Sequence, residues 1–387
     1  MSGRRVYLDH NATAPLVPAA REAMLAALET DANPSSVHAE GRRARALVEK
    51  ARRSVAALCG ARPDHVIFTS GATEAANMLL TPDWTMGRAP LRLSRLYVSA
   101  SEHPCILAGG RFAPDRVTRI PVDAEGVIDL AALEVVLGRH DAAEGLPLVA
   151  VQAANNETGT LQPIAGIAAI VKAAGGILVC DAVQAAGRIP IDISVGYPDF
   201  LILSSHKMGG PKGAGAVVGM SDLAMPRALI AGGGQEKGHR GGTENVAAIA
   251  GFGAAAEAAR MQLDGVARIA ALRDRFEAAV LDIWPAATIY GRGAPRLANT
   301  SYFSVPGLKA ETAQIAFDLE GVSLSAGSAC SSGKVGESHV LQAMGHGGKG
   351  GAVRVSIGAG TGEEELLRFR EALVAIASRQ ARDQHAA

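Results

Sequence analysis

Two residues able to do acid–base chemistry stand at the ends of consecutive apolar runs. Asp181 follows Gly176-Ile177-Leu178-Val179-Cys180. Lys207 follows Phe200-Leu201-Ile202-Leu203 by way of Ser204-Ser205-His206, 26 positions after the acid. Short continuous apolar runs read as buried strands. An acid at one strand end and a lysine at the next can hold pyridoxal phosphate. The lysine forms a Schiff base with its aldehyde, and the acid keeps the pyridine nitrogen protonated so that the ring accepts electrons. The glycines in Met208-Gly209-Gly210-Pro211-Lys212-Gly213 let backbone approach a ligand closely. A lysine after a strand is also an ordinary surface residue. Asp181 and Gln184 set Lys207 above that reading, and Lys212, past Pro211 in a turn, ranks below it.

Further candidates fall at comparable places. Phe68-Thr69-Ser70-Gly71-Ala72-Thr73-Glu74 reads as strand, glycine turn and helix start. The helix-end N–H groups and the Thr73 hydroxyl suit an anion, although Ser70 or Thr73 also suits a simple N-cap. His103, in Glu102-His103-Pro104, suits ring stacking or proton movement as well as a structural role. Asn155-Asn156-Glu157 offers an amide to a ring oxygen, or an Asx-type turn. Cys330 sits in Ser325-Ala326-Gly327-Ser328-Ala329-Cys330-Ser331-Ser332-Gly333, where small neighbours leave a thiol unhindered as a nucleophile, or where it is a structural cysteine in a turn. Gly327 to Lys334 has the wrong spacing for a P-loop, and Val335 stands where Ser or Thr is needed. Arg354, among apolar neighbours, needs an anionic partner: a substrate carboxylate or a structural salt bridge. Gly232-Gly233-Gly234-Gln235-Glu236, leading to Arg240–Asn245, is another candidate anion site.

These residues need a scaffold, and the chain alternates accordingly. Strands are expected at His65–Thr69, Leu96–Ala100, Leu148–Gln152, Ile177–Cys180, Phe200–Leu203 and Ala214–Gly219. Helices are expected at Thr73–Leu80, Leu130–Leu137 and Ile164–Ala174. The alternation predicts an α/β fold, a mostly parallel sheet covered on both faces, with its site at the carboxyl ends of the strands. From Val246 to Leu281 the pattern is helical. Strands then follow near Thr300–Val305, Val322–Ser325 and Val353–Ile357, so a smaller α+β unit is expected beyond a boundary near 262.

The 387 residues suffice for two domains, and 48% hydrophobic with 20% charged residues suits a globular protein. Zero formal net charge argues against nucleic acid. The basic run Arg42-Arg43-Ala44-Arg45, with Lys50, Arg52 and Arg53, reads as the solvated face of a helix whose other side carries Leu47, Val48, Ala51, Val55 and Leu58. No apolar run reaches membrane-spanning length. Val6-Tyr7-Leu8 leaves no room for a signal-peptide core. Four cysteines make no disulfide framework, and a cytoplasmic location is expected. The histidines show no metal-ligand spacing.

Together with Tyr7-Leu8-Asp9-His10-Asn11-Ala12-Thr13-Ala14-Pro15 and Asn33-Pro34-Ser35-Ser36-Val37-His38, these segments resemble the NifS/IscS-type cysteine desulfurases of the class V aminotransferase-like group, over nearly the whole chain. The Cys330 loop is similar to the group with a long catalytic-cysteine loop. The resemblance implies a fold type I pyridoxal-phosphate enzyme with a mostly parallel seven-stranded sheet. The large domain would span 15–262. A small domain of 1–14 and 263–387 would carry the loop at about 325–336.

It further implies roles. Lys207 would carry the cofactor and act as acid and base, Asp181 would pair with the pyridine nitrogen, and Gln184 and Asn156 would bond the ring oxygen. His103 would stack on the ring and assist proton transfer. Ala72, Thr73, Ser204 and His206 would hold the phosphate, with Thr243 reaching the phosphate of a neighbouring subunit in a homodimer. Asn33 and Arg354 would bind the substrate carboxylate, and Cys330 would take sulfur from L-cysteine as a persulfide, releasing alanine. Sulfur would pass to an acceptor such as an Fe–S scaffold. No resident metal is expected, Cys330 being at most a transient Fe–S ligand. Selenocysteine lyase and other class V aminotransferases are the implied alternatives. His10-Asn11 and the glycine-rich His346–Gly351 stretch depart from the family pattern.

Overall fold

The computed structural model describes residues 5–326, 337–348 and 351–386, with side chains described to residue 382. Cys330, residues 327–336 of its loop, and Lys349 and Gly350 lie outside the described residues.

The six expected apolar runs do become neighbouring strands, with Val117–Ile120 added at one edge. Val117–Ile120, Ala89–Ser99, Leu146–Gln152, Ile177–Asp181, Phe200–Ser204, Gly215–Gly219 and Val66–Thr69 lie side by side in that order. The first five are mutually parallel; Gly215–Gly219 runs antiparallel to both its neighbours. These seven match the expected number, and the sheet has two more. Ala89–Ser99 starts well before the expected Leu96, and its first half pairs antiparallel with Asp83–Met86, which in turn pairs with Ala224–Pro226. That half alternates exposed Pro90 and Arg92 with Leu91 and buried Leu93, so it lacks the continuous apolar signature of a strand covered on both faces.

Side chains along each central strand alternate between two apolar layers. Ile177 and Val179 pack with Leu96, Val98, Ile202 and Val217 beneath the helix Ala72–Leu79. On the opposite face Cys180 packs with Leu201 and Val218 under the helices Ala39–Leu58 and Val246–Gln262. Leu178 extends that face to the helices Leu130–Gly138 and Ile164–Ala173.

A second apolar core lies between the helices Val266–Ile283, Ala310–Leu319 and Glu363–Ala386 and a four-stranded antiparallel sheet, in the order Thr288–Ile289, Thr300–Ser304, Val353–Ser356, Ser325–Ala326. The amino-terminal Val6–Tyr7 strand joins this core by pairing with Val322–Ser323. The expected long helix is in fact two. Val246–Gln262 serves the first core and Val266–Ile283 the second, with the short turn Leu263–Gly265 between them. Among the described residues, no helix is long and apolar enough to cross a membrane.

One expectation of the sequence needs correcting. Arg52 does not belong to the solvated helix face. It is buried, with its guanidinium held by both Glu236 carboxylate oxygens at 2.8 Å and by the Val66 carbonyl at 2.7 Å, and it lies over the Phe68 ring. Position 52 is one turn from Val48 and Val55, on the buried side, and only a carboxylate partner makes a cation tolerable there.

Candidate active site

The strand Ile177–Asp181 delivers the acid at its carboxyl end. Asp181 Oδ1 accepts the Val183 backbone N–H at 2.9 Å. Burial raises the carboxyl pKa to about 6, against the opposing pull of Lys207. The next strand, Phe200–Ser204, runs into a 3₁₀ turn, Ser205–Lys207, and the lysine closes that turn. Lys207 Nζ donates to the carbonyls of Asn11 at 2.7 Å and Ala12 at 2.8 Å. A Cβ on Gly210 would meet Ser205 Oγ at 2.1 Å and the Ser205 carbonyl at 3.1 Å, so the chain turns back closely under the lysine.

A cavity of about 460 Å³ opens between these strand ends. Lys207, Asp181, Gln184, Asn156 and His103 line it. Ala72, Thr73, Ser204 and His206 do so as well, and so does Lys212. The helix Ala72–Leu79 begins at this wall with Gly71 as its N-cap and no side-chain capping bond, so neither Ser70 nor Thr73 serves as the cap. Its first N–H groups are therefore left to an incoming acceptor. The helix start lies against the sheet, because a Cβ on Gly215 would stand 2.7 Å from Gly71. His206 Nδ1 lies 3.0 Å from Thr13 Oγ1, and burial with the nearby Lys207 and Lys212 lowers the ring pKa to about 4.

His103 caps the short helix Pro104–Leu107. Its pKa is also lowered to about 4, by burial and by the Lys207 and His339 charges. Asn155 makes the Asx turn, accepting the N–H groups of Glu157 and Thr158 at 2.8 and 3.0 Å. The neighbouring Asn156 lines the cavity. The Gln184 side chain donates one N–H to the Asn11 carbonyl at 3.0 Å, and its oxygen accepts from Arg188.

Three predicted residues stand apart from the cavity lining. Arg354 is buried behind Asn156, donating to its carbonyl at 2.9 Å and to Asp9 Oδ1 at 2.7 Å. Its Nε is buried without a hydrogen-bond partner. Asn33 is exposed and its Oδ1 accepts the Ser35 N–H at 2.8 Å. Thr243 is exposed. In the glycine-rich Gly232–Glu236 stretch the buried end group is itself a carboxylate, Glu236, committed to Arg52 and to the Phe68 N–H. Arg240, further along, is paired with Glu74.

Four residues around the site had no role assigned to them from sequence. Asn11, part of a departure from the family pattern, is 1% exposed and bonds to residues on several of the site's walls. Its side chain donates to the Asn156 carbonyl and to Thr300, and accepts from Arg188 and Asn299. Arg188 is half-buried among carbonyl and amide oxygens, and desolvation with the nearby Arg354 lowers its pKa to about 9. Glu157, raised in pKa by burial, accepts from Ser338 Oγ at 2.6 Å. His339 Nε2 lies 2.8 Å from the Glu102 carbonyl. The i, i+4 spacing of Gln184 and Arg188 was the one local signal; the others depend on partners distant in the chain. Of the cysteines, Cys59 is buried with its thiol pushed up to about 12, and Cys180 is buried and held well above the usual thiol range by desolvation and the nearby Asp181. Among the described residues there is no cluster of metal-ligating side chains.

Comparison with known proteins places this geometry in company. The family model for class-V aminotransferases matches residues 6–369. The chain is 40% identical to a cysteine desulfurase of Frankia sp. over 93% of this chain and 88% of that one. It is 36% identical to an IscS-like cysteine desulfurase of Mycobacterium tuberculosis over 97% of both chains. The X-ray structure of a NifS-like protein from Rickettsia africae superposes with a TM-score of 0.87 at 33% identity, covering 97% of this chain and all of that one.

Proposed function

The chain belongs to the class-V aminotransferase family and, within it, to the NifS/IscS-type cysteine desulfurases, and from that premise we infer how its own residues carry the reaction. The overall conversion takes L-cysteine and the Cys330 thiol to L-alanine and a Cys330 persulfide. The observation that carries the residue assignment is the single cavity in which a buried acid, a lysine on the next strand and an uncapped helix start meet.

That cavity suits pyridoxal phosphate. Asp181 has one oxygen committed to Val183 and the other left for a ring N–H. The open N-terminus of Ala72–Leu79, with Thr73, Ser204 and His206 beside it, suits a phosphate. The cofactor, when bound, supplies an electron sink for the carbanion at the amino acid's α-carbon. Lys207 is the group to hold it and to move the α-proton; the carbonyls of Asn11 and Ala12 fix the Nζ position. Asp181, protonatable near pH 6, keeps a hydrogen bond on the pyridine nitrogen. Gln184 has a second N–H beyond the one given to Asn11, and with Asn156 it is the proposed partner of the ring oxygen. His103, on the cavity wall, would face the cofactor ring. Arg354, whose Nε is left over, is the proposed carboxylate site; Asn33 joins it on resemblance alone. Cys330 takes the sulfur.

The division into 15–262 and 1–14 with 263–387 remains part of this reading, supported by the two apolar cores that change hands at Leu263–Gly265. So do a homodimer in which the exposed Thr243 meets a neighbouring copy, a cytoplasmic location and delivery to an Fe–S scaffold. Purified protein incubated with L-cysteine and dithiothreitol is expected to give equal amounts of alanine and sulfide, with an absorbance band of bound cofactor. Cys330→Ala should keep the band and release no sulfide. Lys207→Ala should lose turnover and change the band; sulfide release at the wild-type rate from either variant would sink the assignment.

A further inference from the structure

Two donors converge on one nitrogen of His103. The backbone N–H of Cys105 reaches Nδ1 at 3.2 Å, because His103 caps the Pro104–Leu107 helix. An N–H can only donate, so Nδ1 must present its lone pair. The Cys105 Sγ stands 3.0 Å from the same nitrogen. Cys105 lines the cavity, and burial, with the carboxyls of Asp181 and Glu102 facing it, holds the thiol protonated. Its S–H is therefore a second donor to Nδ1. Lys207 and His339, facing the ring from two other elements, add to burial in keeping the imidazole neutral. A neutral imidazole with Nδ1 as acceptor carries its proton on Nε2. The opposite tautomer would set the ring N–H against the backbone N–H of Cys105.

We propose that Cys105 is a positioning residue for His103, its backbone N–H setting Nδ1 as an acceptor and its S–H steadying that tautomer and the ring's placement, so that this imidazole acts in the cavity as an Nε2–H donor and leaves abstraction of the substrate's α-proton to Lys207. The proposal deepens, and rests on, the reading that His103 faces the cofactor. His103 then steadies negative charge that builds up during the reaction and is not a second base. Thr73, at the helix start on the cavity wall, interacts with the Cys105 sulfur from the other side and ties the device to the phosphate end of the site.

Holoenzyme with histidine labelled in heavy nitrogen tests this by proton–nitrogen correlation spectra, the His103 signals being assigned by their loss in His103→Gln. The expected spectrum has a bare Nδ1 and a protonated Nε2. Cys105→Ala should shift the Nδ1 signal and lower kcat about five- to tenfold, with KM for L-cysteine within about twofold and the cofactor band retained. Cys105→Ser, which restores a donor, should recover most of the loss. A protonated Nδ1 in the wild-type enzyme overturns the proposal; so does wild-type kcat in Cys105→Ala, or a Ser variant no better than the Ala one. Absence of a cofactor band in wild type would instead strike at the underlying functional reading, and the tautomer would still be read from the same spectra.

Discussion

Asp181 is a carboxyl that the fold holds in an unfavourable state. Its pKa, 3.8 in a free chain, rises to about 6 in the folded protein because burial disfavours the anion. Between those values the folded state binds more protons than the unfolded one. Stability contributed by this group is therefore greatest below pH 4, falls as pH rises to about 6, and stays lost at neutral pH, by about 3 kcal/mol. A cationic ring nitrogen would offset that deficit on binding. The cofactor-free Asp181→Asn variant should therefore melt above cofactor-free wild type at neutral pH and lose the dependence between pH 4 and 6. Its turnover should drop by about a hundredfold. Calorimetry across that range, beside a sulfide assay, checks both; equal melting points at neutral pH would remove the buried-anion account. Asp181 and Lys207 were legible in the sequence because each follows an unbroken apolar run, which fixes both the strand and the end at which the side chain emerges. Asn156 and His103 were legible for the same reason, and the amide of Asn155 proved to serve the turn.

At the scale of elements, close approach and buried charge set the site's frame. The start of the Ala72–Leu79 helix reaches the cavity because residue 215 has no side chain. A Cβ there would stand 2.7 Å from Gly71 and 2.8 Å from the Leu203 carbonyl, both backbone and unable to swing aside. Gly215→Ala should displace the helix start and weaken cofactor binding by about tenfold or more, read by titrating the cofactor-free protein with pyridoxal phosphate. Unchanged affinity would mean that the helix start does not hold the phosphate. The Arg52–Glu236 pair fastens the helix Ala39–Leu58 to the segment that follows the sheet, and Glu236 adds a bond to the Phe68 N–H. Arg52→Met leaves that carboxylate buried without its cation and should cost about 3–5 kcal/mol in urea denaturation, while Arg43→Met on the exposed side of the same helix should cost under about 0.5 kcal/mol. Periodicity had assigned both arginines to one solvated face. Charge type outweighed position in that reading, where the buried carboxylate 184 positions away outweighs charge type in the fold. The strand Val117–Ile120 also escaped notice, since Val117-Thr118-Arg119-Ile120 at the sheet's edge is only half apolar.

Across the whole molecule, a fixed position for Lys207 depends on how the two cores are joined. Asn11 supplies part of the answer. Its carbonyl takes Lys207 Nζ and the Gln184 amide from the first sheet, while its side chain reaches Thr300 and Asn299 beside the second, at 2.9 and 3.0 Å. Its backbone N–H goes to Ser356 Oγ at 2.9 Å. Nothing local in His10-Asn11 announces this, because partners lie 145 to 345 positions away, and an asparagine's value here is that it donates and accepts at once. The whole-chain fold was legible from alternation of apolar runs, whereas this junction exists only once both cores have formed. If Asn11 couples the cores through Thr300, the two side chains act as a unit and their removal is not additive. Asn11→Ala alone strips one acceptor from half-buried Arg188 together with the Asn156, Asn299 and Thr300 bonds, so it should be the costlier single change, about 2–3 kcal/mol against about 1 kcal/mol for Thr300→Val. The double variant should cost about 1 kcal/mol less than the two together. Kinetics should move in step, with kcat falling in Asn11→Ala because the carbonyl that holds Lys207 is no longer anchored. Strict additivity in denaturation, with kcat unchanged in Asn11→Ala, would show that the cores are joined elsewhere and that the lysine finds its place without this residue.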